Sequence, residues 1–201
     1  MKMFNETQIG DIAQAFVQKE ILAFPTDTVY GVGAVYGDLD LLERLKHAKH
    51  RPETKPIPFM ADSLETASQI AVINDTARKL ADAFLPGALT LILEKKDSVD
   101  AAYTNGKDTL ALRIPDKPYL LEVIREAGRP LMVTSANQSG EPTARNGQEA
   151  VRALPSIDGV VMGDVNVGMA STIVDCTREP AVVLRQGPIT EEMIASILKQ
   201  A

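Results

Sequence analysis

Apolar residues recur at helical spacing in several parts of the chain. The first of these segments predicts a helix from about Glu6 to Lys19, because apolar side chains return every three or four positions, at Ile9, Ile12, Ala13, Phe16 and Val17. Asn5 and Gln8 stand at capping-box spacing at its start. The same pattern predicts further helices over 39–48, 63–70, 74–84, 118–126 and 148–154. A last helix is predicted to begin at Thr190, a good N-cap residue.

Short apolar runs bounded by proline, glycine or polar residues predict strands. They lie at 21–24, 89–94, 109–114, 131–133, 160–162, 172–174 and 181–184. Helices and strands are interspersed without a regular βα repeat, which favours one α/β (α+β) domain over 1–201. The pattern therefore predicts a mixed β-sheet flanked by helices.

Composition narrows the class of protein. A chain of 201 residues with a single cysteine, Cys176, has no internal disulfide framework, which fits a reducing compartment. No apolar run approaches the roughly 18 residues of a membrane span, and none near the first residue has the form of a signal peptide. We therefore expect a cytoplasmic protein with no membrane partner. The formal charge of -6 argues against a broad nucleic-acid-binding surface.

One basic stretch, from Arg44 to Lys55, interrupts this acidic composition. It holds five Lys and Arg residues against one acid, together with both histidines of the chain, His47 and His50. Positive charge concentrated on an acidic protein predicts a bound anion. Lys49 and Arg51, two residues apart where prolines end the predicted helix, could straddle a polyphosphate. The alternative is an ordinary basic face at a helix C-terminus, where cations match the helix dipole.

Short polar side chains follow two of the predicted strands. Thr26 comes after the strand at 21–24, and Ser135 and Asn137 follow the strand at 131–133. Open α/β sheets bind ligands at such strand ends. On extended backbone Ser135 and Asn137 share one face, where a hydroxyl and an amide could bond an anionic oxygen. Ordinary turns or a helix-cap loop would explain the same residues.

Arg113 lies near the end of a predicted strand whose alternation places Thr109 and Ala111 on the same face. Two small residues leave open space beside the guanidinium, which suits bidentate binding of a carboxylate. An arginine on the solvated face of an edge strand is the alternative. Ser171 opens a later strand and Arg185 closes the next, and each is unremarkable alone.

Common nucleotide and metal motifs are absent from the sequence. There is no Gly-x-x-x-x-Gly-Lys-Ser/Thr loop, no Gly-x-Gly-x-x-Gly fingerprint and no His, Cys or carboxylate cluster with metal-ligand spacing. No triad for nucleophilic catalysis is evident. Cys176 is expected to pack as a small hydrophobic residue.

Seven short segments occur in a characteristic order. They are Phe24 to Gly31, Lys49-His50-Arg51-Pro52 with Lys55-Pro56, Pro86 to Thr90, Leu112 to Pro115, Ser135-Ala136-Asn137, Ser171 to Asp175, and Arg185 to Pro188. Each is a weak signal alone. Together they resemble the YrdC/Sua5 family of L-threonylcarbamoyladenylate synthases over nearly the whole chain.

The resemblance implies a single domain with a twisted mixed sheet and a large open cavity, in the short, YrdC-like form. It implies formation of threonylcarbamoyl-AMP and pyrophosphate from L-threonine, bicarbonate and ATP, with Mg²⁺ arriving on the ATP. The product would serve the t6A modification of tRNA at adenosine 37. Threonylcarbamoyl transferase machinery would be a transient partner, and tRNA an indirect one.

The resemblance also implies roles for individual residues. Lys49 and Arg51 would be the catalytic cations and would bind the ATP phosphates. Further ATP contacts would come from Thr109, Ser135, Asn137, Thr143 and Arg185. L-Threonine would be held by Thr26, Arg113 and Ser171, with Arg113 on its carboxylate. No metal ligand is expected from the protein.

Other functions remain open on the sequence. A YrdC-like module could bind double-stranded RNA, although the acidic charge speaks against a large RNA footprint. A paralogue without synthase activity would lack the Lys-x-Arg and Ser-x-Asn pairs, both of which this chain keeps. A carbamoyl-adenylate activity, as in the related domain of hydrogenase-maturation proteins, is a third alternative.

Overall fold

The architecture was taken from a computed structural model, which describes residues 1–52, 55–165 and 169–199. Among these residues ten strands form one sheet: β1 (Lys2–Asn5), β2 (Leu22–Pro25), β3 (Tyr30–Val35), β4 (Phe59–Met60), β5 (Leu89–Glu94), β6 (Thr109–Arg113), β7 (Leu131–Ser135), β8 (Gly159–Met162), β9 (Thr172–Asp175) and β10 (Val182–Arg185). Seven α-helices accompany them: α1 (Ile9–Val17), α2 (Leu39–Ala48), α3 (Leu64–Ala67), α4 (Asp75–Phe84), α5 (Pro118–Ala127), α6 (Gly147–Ala153) and α7 (Glu191–Leu198). A 3-10 helix spans Ala101–Thr104.

The sheet is mixed, with the strand order β1-β8-β2-β3-β7-β4-β6-β5-β9-β10. The pairs β1/β8, β8/β2, β4/β6 and β5/β9 are parallel, and the remaining neighbours are antiparallel. Strands distant in sequence thus become neighbours, and β6 comes to lie two strands from β7. This confirms the predicted α/β fold with a mixed sheet flanked by helices. The single domain over 1–201 stays a prediction.

Helices cover the sheet and supply much of its core. α1 packs against α5, and α4 packs against α7. Phe16 on α1 meets Phe24 on β2 edge-to-face, with ring centroids 5.9 Å apart, and both rings are fully buried. Burial of two large aromatic side chains stabilises the contact between helix and sheet.

Three strands were not predicted from the sequence. β3 contains Gly31 and Gly33, which are typical of a turn, yet all its residues are buried. A Cβ atom at Gly33 would lie 2.6 Å from the backbone oxygen of Met132, so glycine allows β3 to approach β7. β1 is an exposed edge strand, and β4 has only two residues within a proline-rich segment.

Some element boundaries also differ from the predicted ones. α1 begins at Ile9 rather than Glu6, because the capping pair instead closes a turn: Asn5 Oδ1 accepts from Thr7 N, and Gln8 Oε1 accepts from Asn5 N. The predicted helix at 63–70 has α-helical geometry only over α3, and the strand expected at 181–184 lies one residue later, as β10.

Candidate functional site

An open cavity of about 550 Å³ is lined by residues of β3, β4, β5, β6, β7, β9 and β10 and of adjoining loops. Most of the candidate site residues line it: Thr26, Arg51, Arg113, Ser135, Thr143, Ser171 and Arg185. Lys49, Thr109 and Asn137 do not. The fold therefore brings together residues more than 150 positions apart in the sequence, from Thr26 to Arg185.

Thr26 shapes the loop between β2 and β3. Its hydroxyl donates to the Val29 carbonyl oxygen at 2.6 Å and accepts from the backbone N–H groups of Thr28 and Val29, each at 3.2 Å. The residue is only 4% exposed. The turn that the Ser/Thr pattern allowed is thus present, and it lies at the cavity wall.

Arg113 is a buried cation whose guanidinium is held on three sides. Nε donates to the Gly87 carbonyl oxygen at 2.9 Å, Nη1 donates to Thr28 Oγ1 at 2.6 Å, and Nη2 donates to Asp27 Oδ2 at 2.6 Å. Burial lowers the pKa of Arg113, and the Asp27 carboxylate acts in the opposite direction. An arginine in this setting stays charged.

Two N–H groups of Arg113, one on each terminal nitrogen, have no hydrogen-bond partner among the described residues. The Nε N–H group donates to a backbone carbonyl oxygen, so an incoming carboxylate can be bound only by the remaining N–H groups of Nη1 and Nη2. Ala111 also lines the cavity beside it, which agrees with the open space expected from the alternation of β6. Asp27 was not predicted as a site residue from the sequence, although it lies between two predicted turn residues.

Ser171 and Arg185 form a second polar group on the wall. Ser171 Oγ lies 2.7 Å from Thr90 Oγ1, and Arg185 Nη2 donates to it at 3.3 Å. Arg185 also donates from Nε and Nη2 to the Ser171 carbonyl oxygen, at 3.1 and 2.7 Å. Burial lowers the pKa of Arg185. Thr90 was not assigned a role from the sequence. The feature that could have indicated one is its place at the end of the Pro86 to Thr90 segment, which is one of the seven family segments.

Lys49 points into the protein rather than into the cavity. It is 1% exposed, and its ammonium donates to the backbone oxygens of Ser135 and of Asn137, the latter at 2.8 Å. Burial, and then the nearby charge of Arg51, lower the pKa of Lys49 to about 7. Lys49 therefore connects the end of α2 to the end of β7.

Of the two cations in the predicted pair, Arg51 is the one that lines the cavity. Its Nη1 donates to Thr134 Oγ1 at 3.2 Å, Nη2 to the Pro56 oxygen at 2.8 Å and Nε to the Lys55 oxygen at 2.9 Å. Burial lowers its pKa. No carboxylate of the described residues pairs with it, while Glu53 of the same basic stretch lies outside those residues.

The remaining candidates surround this wall. Asn137 is buried, and its Nδ2 donates to the carbonyl oxygens of Gln138 and Glu141 at 2.8 and 2.9 Å. Its Oδ1 has no hydrogen-bond partner within the described residues. Thr109 is half-buried at the first position of β6 and does not line the cavity.

Positive charge dominates the cavity. Five cations line it, Arg51, Lys55, Lys107, Arg113 and Arg185, and the described lining contains no carboxylate. Asp27, which forms an ion pair with Arg113, does not itself line the cavity. A pocket with excess cations on a chain of charge -6 is suited to a polyanion.

Three further findings bear on the class of site and protein. The described part of the chain has no group of three His, Cys, Asp or Glu residues that could hold a metal ion. The rings of His47 and His50 lie 6.3 Å apart, and neither lines the cavity. No helix in the described ranges is long and apolar enough to cross a bilayer.

Comparisons of this chain with known proteins point to a single protein family. Residues 14–187 match the profile Sua5_yciO_yrdC, described as "Telomere recombination". The threonylcarbamoyl-AMP synthase of Bacillus subtilis is 37% identical over 198 residues, which are 96% of this chain and 57% of that protein. A putative threonylcarbamoyl-AMP synthase of Mycobacterium tuberculosis is 36% identical over 182 residues, which are 89% of this chain and 83% of that protein.

A solved structure shows the same fold. The crystal structure of Pyrococcus abyssi Sua5 complexed with L-threonine superposes with a TM-score of 0.92 at 33% identity, and the match covers 98% of this chain and 61% of that one. The chain thus spans less than two thirds of the first curated relative and of this structure. The chain belongs to the Sua5/YciO/YrdC family.

Proposed function

We propose that the protein is an L-threonylcarbamoyladenylate synthase, a nucleotidyltransferase that forms threonylcarbamoyl-AMP and pyrophosphate from L-threonine, bicarbonate and ATP. The observation that carries the proposal is a cavity lined by five cations, Arg113 among them, and by no described carboxylate. Relatives named threonylcarbamoyl-AMP synthase support the same activity.

The substrates account for this charge distribution. Threonine brings a carboxylate, its amine and bicarbonate condense to a carbamate anion with loss of water, and ATP brings its triphosphate. A carbamate oxygen then attacks the α-phosphorus, the bond from that phosphorus to the bridging oxygen breaks, and pyrophosphate leaves. Two anions must meet, so cations that offset their repulsion and stabilise the transition state supply the catalysis. No protein nucleophile takes part.

We assign the threonine end of the cavity to Arg113, Thr26 and Ser171. The free Nη1 and Nη2 hydrogens of Arg113 bind the carboxylate, which fixes the amino acid. The Ser171 hydroxyl is 2.7 Å from Thr90 Oγ1, so it is oriented for a further hydrogen bond. The complex of Pyrococcus abyssi Sua5 with L-threonine supports a threonine site in this fold.

We assign the ATP end to Arg51, Ser135, Thr143 and Arg185, which line the cavity. Arg51 faces the phosphates directly. Lys49 acts on this end indirectly, because its ammonium group holds the backbone oxygens of Ser135 and Asn137 at the end of β7. For Thr109, the resemblance to the family is the reason to assign a nucleotide contact. Mg²⁺ enters with ATP as its counter-ion, and the described lining offers no carboxylate that would hold it in the absence of ATP.

The product is a reactive mixed anhydride that needs an acceptor. We infer that it serves the t6A modification of adenosine 37 in tRNA, with the transfer made by separate threonylcarbamoyl transferase machinery in the cytoplasm. The cations described here line a cavity of about 550 Å³, which favours a small polyanion over duplex RNA. Steeply salt-dependent duplex RNA binding without ATP turnover would favour the RNA-binding alternative.

Pyrophosphate release tests the proposed reaction. The purified chain is incubated with MgATP and with L-threonine, bicarbonate, both or neither. Release is expected only when both are present, together with a product whose mass is that of threonylcarbamoyl-AMP. Release at the same rate without threonine would overturn the proposal. Serine and D-threonine in place of L-threonine serve as matched controls for the amino-acid site.

A further inference from the structure

Lys107 is a cavity cation to which neither the sequence motifs nor the reaction assigned a role. It follows the 3-10 helix at Ala101–Thr104, and its side chain has no ion-pair or hydrogen-bond partner among the described residues. The residue itself is exposed. An exposed lysine is ordinarily a solvated charge, so its place on the wall needs a structural cause.

The turn before Lys107 is built in a fixed way. Asn105 and Gly106 both adopt left-handed backbone, with φ of 52° and 75°. Thr104 is 1% exposed, and its hydroxyl donates to the Lys107 carbonyl oxygen at 2.6 Å. The Lys107 N–H donates back to the Thr104 oxygen at 3.2 Å. The buried Thr104 side chain thus fixes the backbone of Lys107. This fixes the point from which the Lys107 side chain extends.

Lys107 and Arg113 stand at opposite ends of one strand face. Ala111 and Arg113 on β6 line the cavity, and Lys107 lines it two residues before the strand begins. From Thr109 to Arg113 the strand spans about 13 Å. A ligand whose carboxylate is held by Arg113 would reach Lys107 by extending along β6.

We propose that Lys107 is a further anion-binding residue of this cavity and takes the polyphosphate end of the ligand, the part that leaves as pyrophosphate. The assignment rests on the proposed function for the identity of the ligand. Arg51 and Lys107 then hold the triphosphate from two walls, while Arg113 holds the amino acid. Lysine suits this place, because a flexible ammonium can follow phosphate oxygens as they depart.

Direct binding of inorganic tripolyphosphate tests the assignment without threonine or bicarbonate. Calorimetric titration is expected to show affinity lowered about 5- to 10-fold by Lys107→Gln, with a shallower dependence on salt concentration. Lys107→Arg keeps the charge and should restore most of the affinity. Lys96→Gln is the matched control, since Lys96 is exposed in the same connection between β5 and β6 and does not line the cavity.

The outcomes separate this assignment from the proposed reaction. Equal tripolyphosphate affinity in the wild type, Lys107→Gln and Lys96→Gln would overturn the role of Lys107, even with full synthase activity. Failure of the wild type to bind tripolyphosphate would overturn it too. Threonine-independent pyrophosphate release would overturn the reaction alone, and a weakened tripolyphosphate complex in Lys107→Gln would still support the anion site. Thermal melting of each variant checks that the fold is retained.

Discussion

The ammonium group of Lys49 donates a hydrogen bond to the backbone oxygen of Asn137 at 2.8 Å. A second bond goes to the Ser135 oxygen. In return, the backbone oxygen of Lys49 accepts from Ser139 N and Ser139 Oγ, each at 3.1 Å. Hydrogen bonds in both directions thus connect the end of α2 to the loop after β7. Lys49 can set the position of Ser135 without touching a ligand.

Lys49→Met is expected to change how stability depends on pH. The pKa of Lys49 is lowered by burial, from 10.5 to about 7. Between these values the unfolded chain binds more protons than the folded one, so stability of the wild type rises as pH increases through this window. Methionine removes the titration. The wild type should gain stability relative to Lys49→Met above about pH 7, with a limiting slope of about 1.4 kcal/mol per pH unit.

Urea denaturation of both proteins from about pH 7 to pH 9.5 measures this difference. Tyrosines and Cys176 titrate in both chains, so they cancel in the comparison. Lys199→Met, at the exposed C-cap of α7, is the control and should run parallel to the wild type. Parallel curves for Lys49→Met and the wild type would show that Lys49 is not a perturbed group.

The difference between Lys49 and Arg51 could not be predicted from their sequence motif. Both residues leave the same helix end, two positions apart, and both suit a phosphate. Which one is buried depends on β7, some 85 residues later, whose carbonyl oxygens take the Lys49 ammonium. The motif therefore located the region, and the long-range packing determined which cation faces the cavity.

The Asp27–Arg113 pair predicts a contrast between two substitutions. The side chains are 14% and 6% exposed, with the charged atoms 2.6 Å apart. Asp27→Ala would leave a buried guanidinium without its counter-ion and is expected to lower the free energy of unfolding by about 3 kcal/mol. Asp27→Asn keeps an oxygen that accepts from Nη2, so it should lose less than half as much.

Chemical denaturation at neutral pH measures both variants. Glu6→Ala removes the more exposed ion pair with Lys117, at 3.1 Å, and is expected to lose less than about 1 kcal/mol. If Asp27→Ala were no more destabilising than Glu6→Ala, Asp27 would not be the counter-ion that holds Arg113 in place.

Ser171→Ala should weaken the amino-acid site selectively. Its hydroxyl lies 2.7 Å from Thr90 Oγ1 and 3.3 Å from Arg185 Nη2, facing the cavity. Loss of one hydrogen bond to the substrate is expected to raise the KM for L-threonine about 5-fold, with a smaller change in kcat and in the KM for ATP. Pyrophosphate release under varied threonine concentration gives these constants.

Ser196→Ala is the matched control for that experiment. Ser196 lies on α7, where its hydroxyl donates to the Met193 oxygen at 2.7 Å and does not reach the cavity. Its kinetic constants should equal those of the wild type. A Ser171→Ala enzyme with unchanged threonine KM would remove Ser171 from the threonine site.

The sheet shows a similar limit of sequence-based prediction. Apolar runs such as Leu89 to Glu94 predicted β5 with correct ends, because local pattern and final environment agree. β3 was missed, because Gly31 and Gly33 are typical of turns when seen alone. Their function is visible only in the sheet, where Gly33 lets β3 approach the Met132 backbone. The local pattern of apolar residues predicts strands such as β5. A strand such as β3 depends on residues that are its neighbours only in space, so the sequence pattern does not predict it.

Cys176 is predicted to be unreactive in the native protein. It is 2% exposed, and burial, followed by the nearby Asp175 charge, raises the pKa of its thiol to about 12. Only the thiolate attacks disulfide reagents, so native labelling at about pH 8 should be more than about 100-fold slower than labelling of the urea-unfolded chain. Colour release from a chromogenic disulfide follows both rates. Native labelling as fast as that of the unfolded chain would mean that the region around Cys176 opens readily, and a Cys176→Ser variant would confirm that the signal comes from this residue.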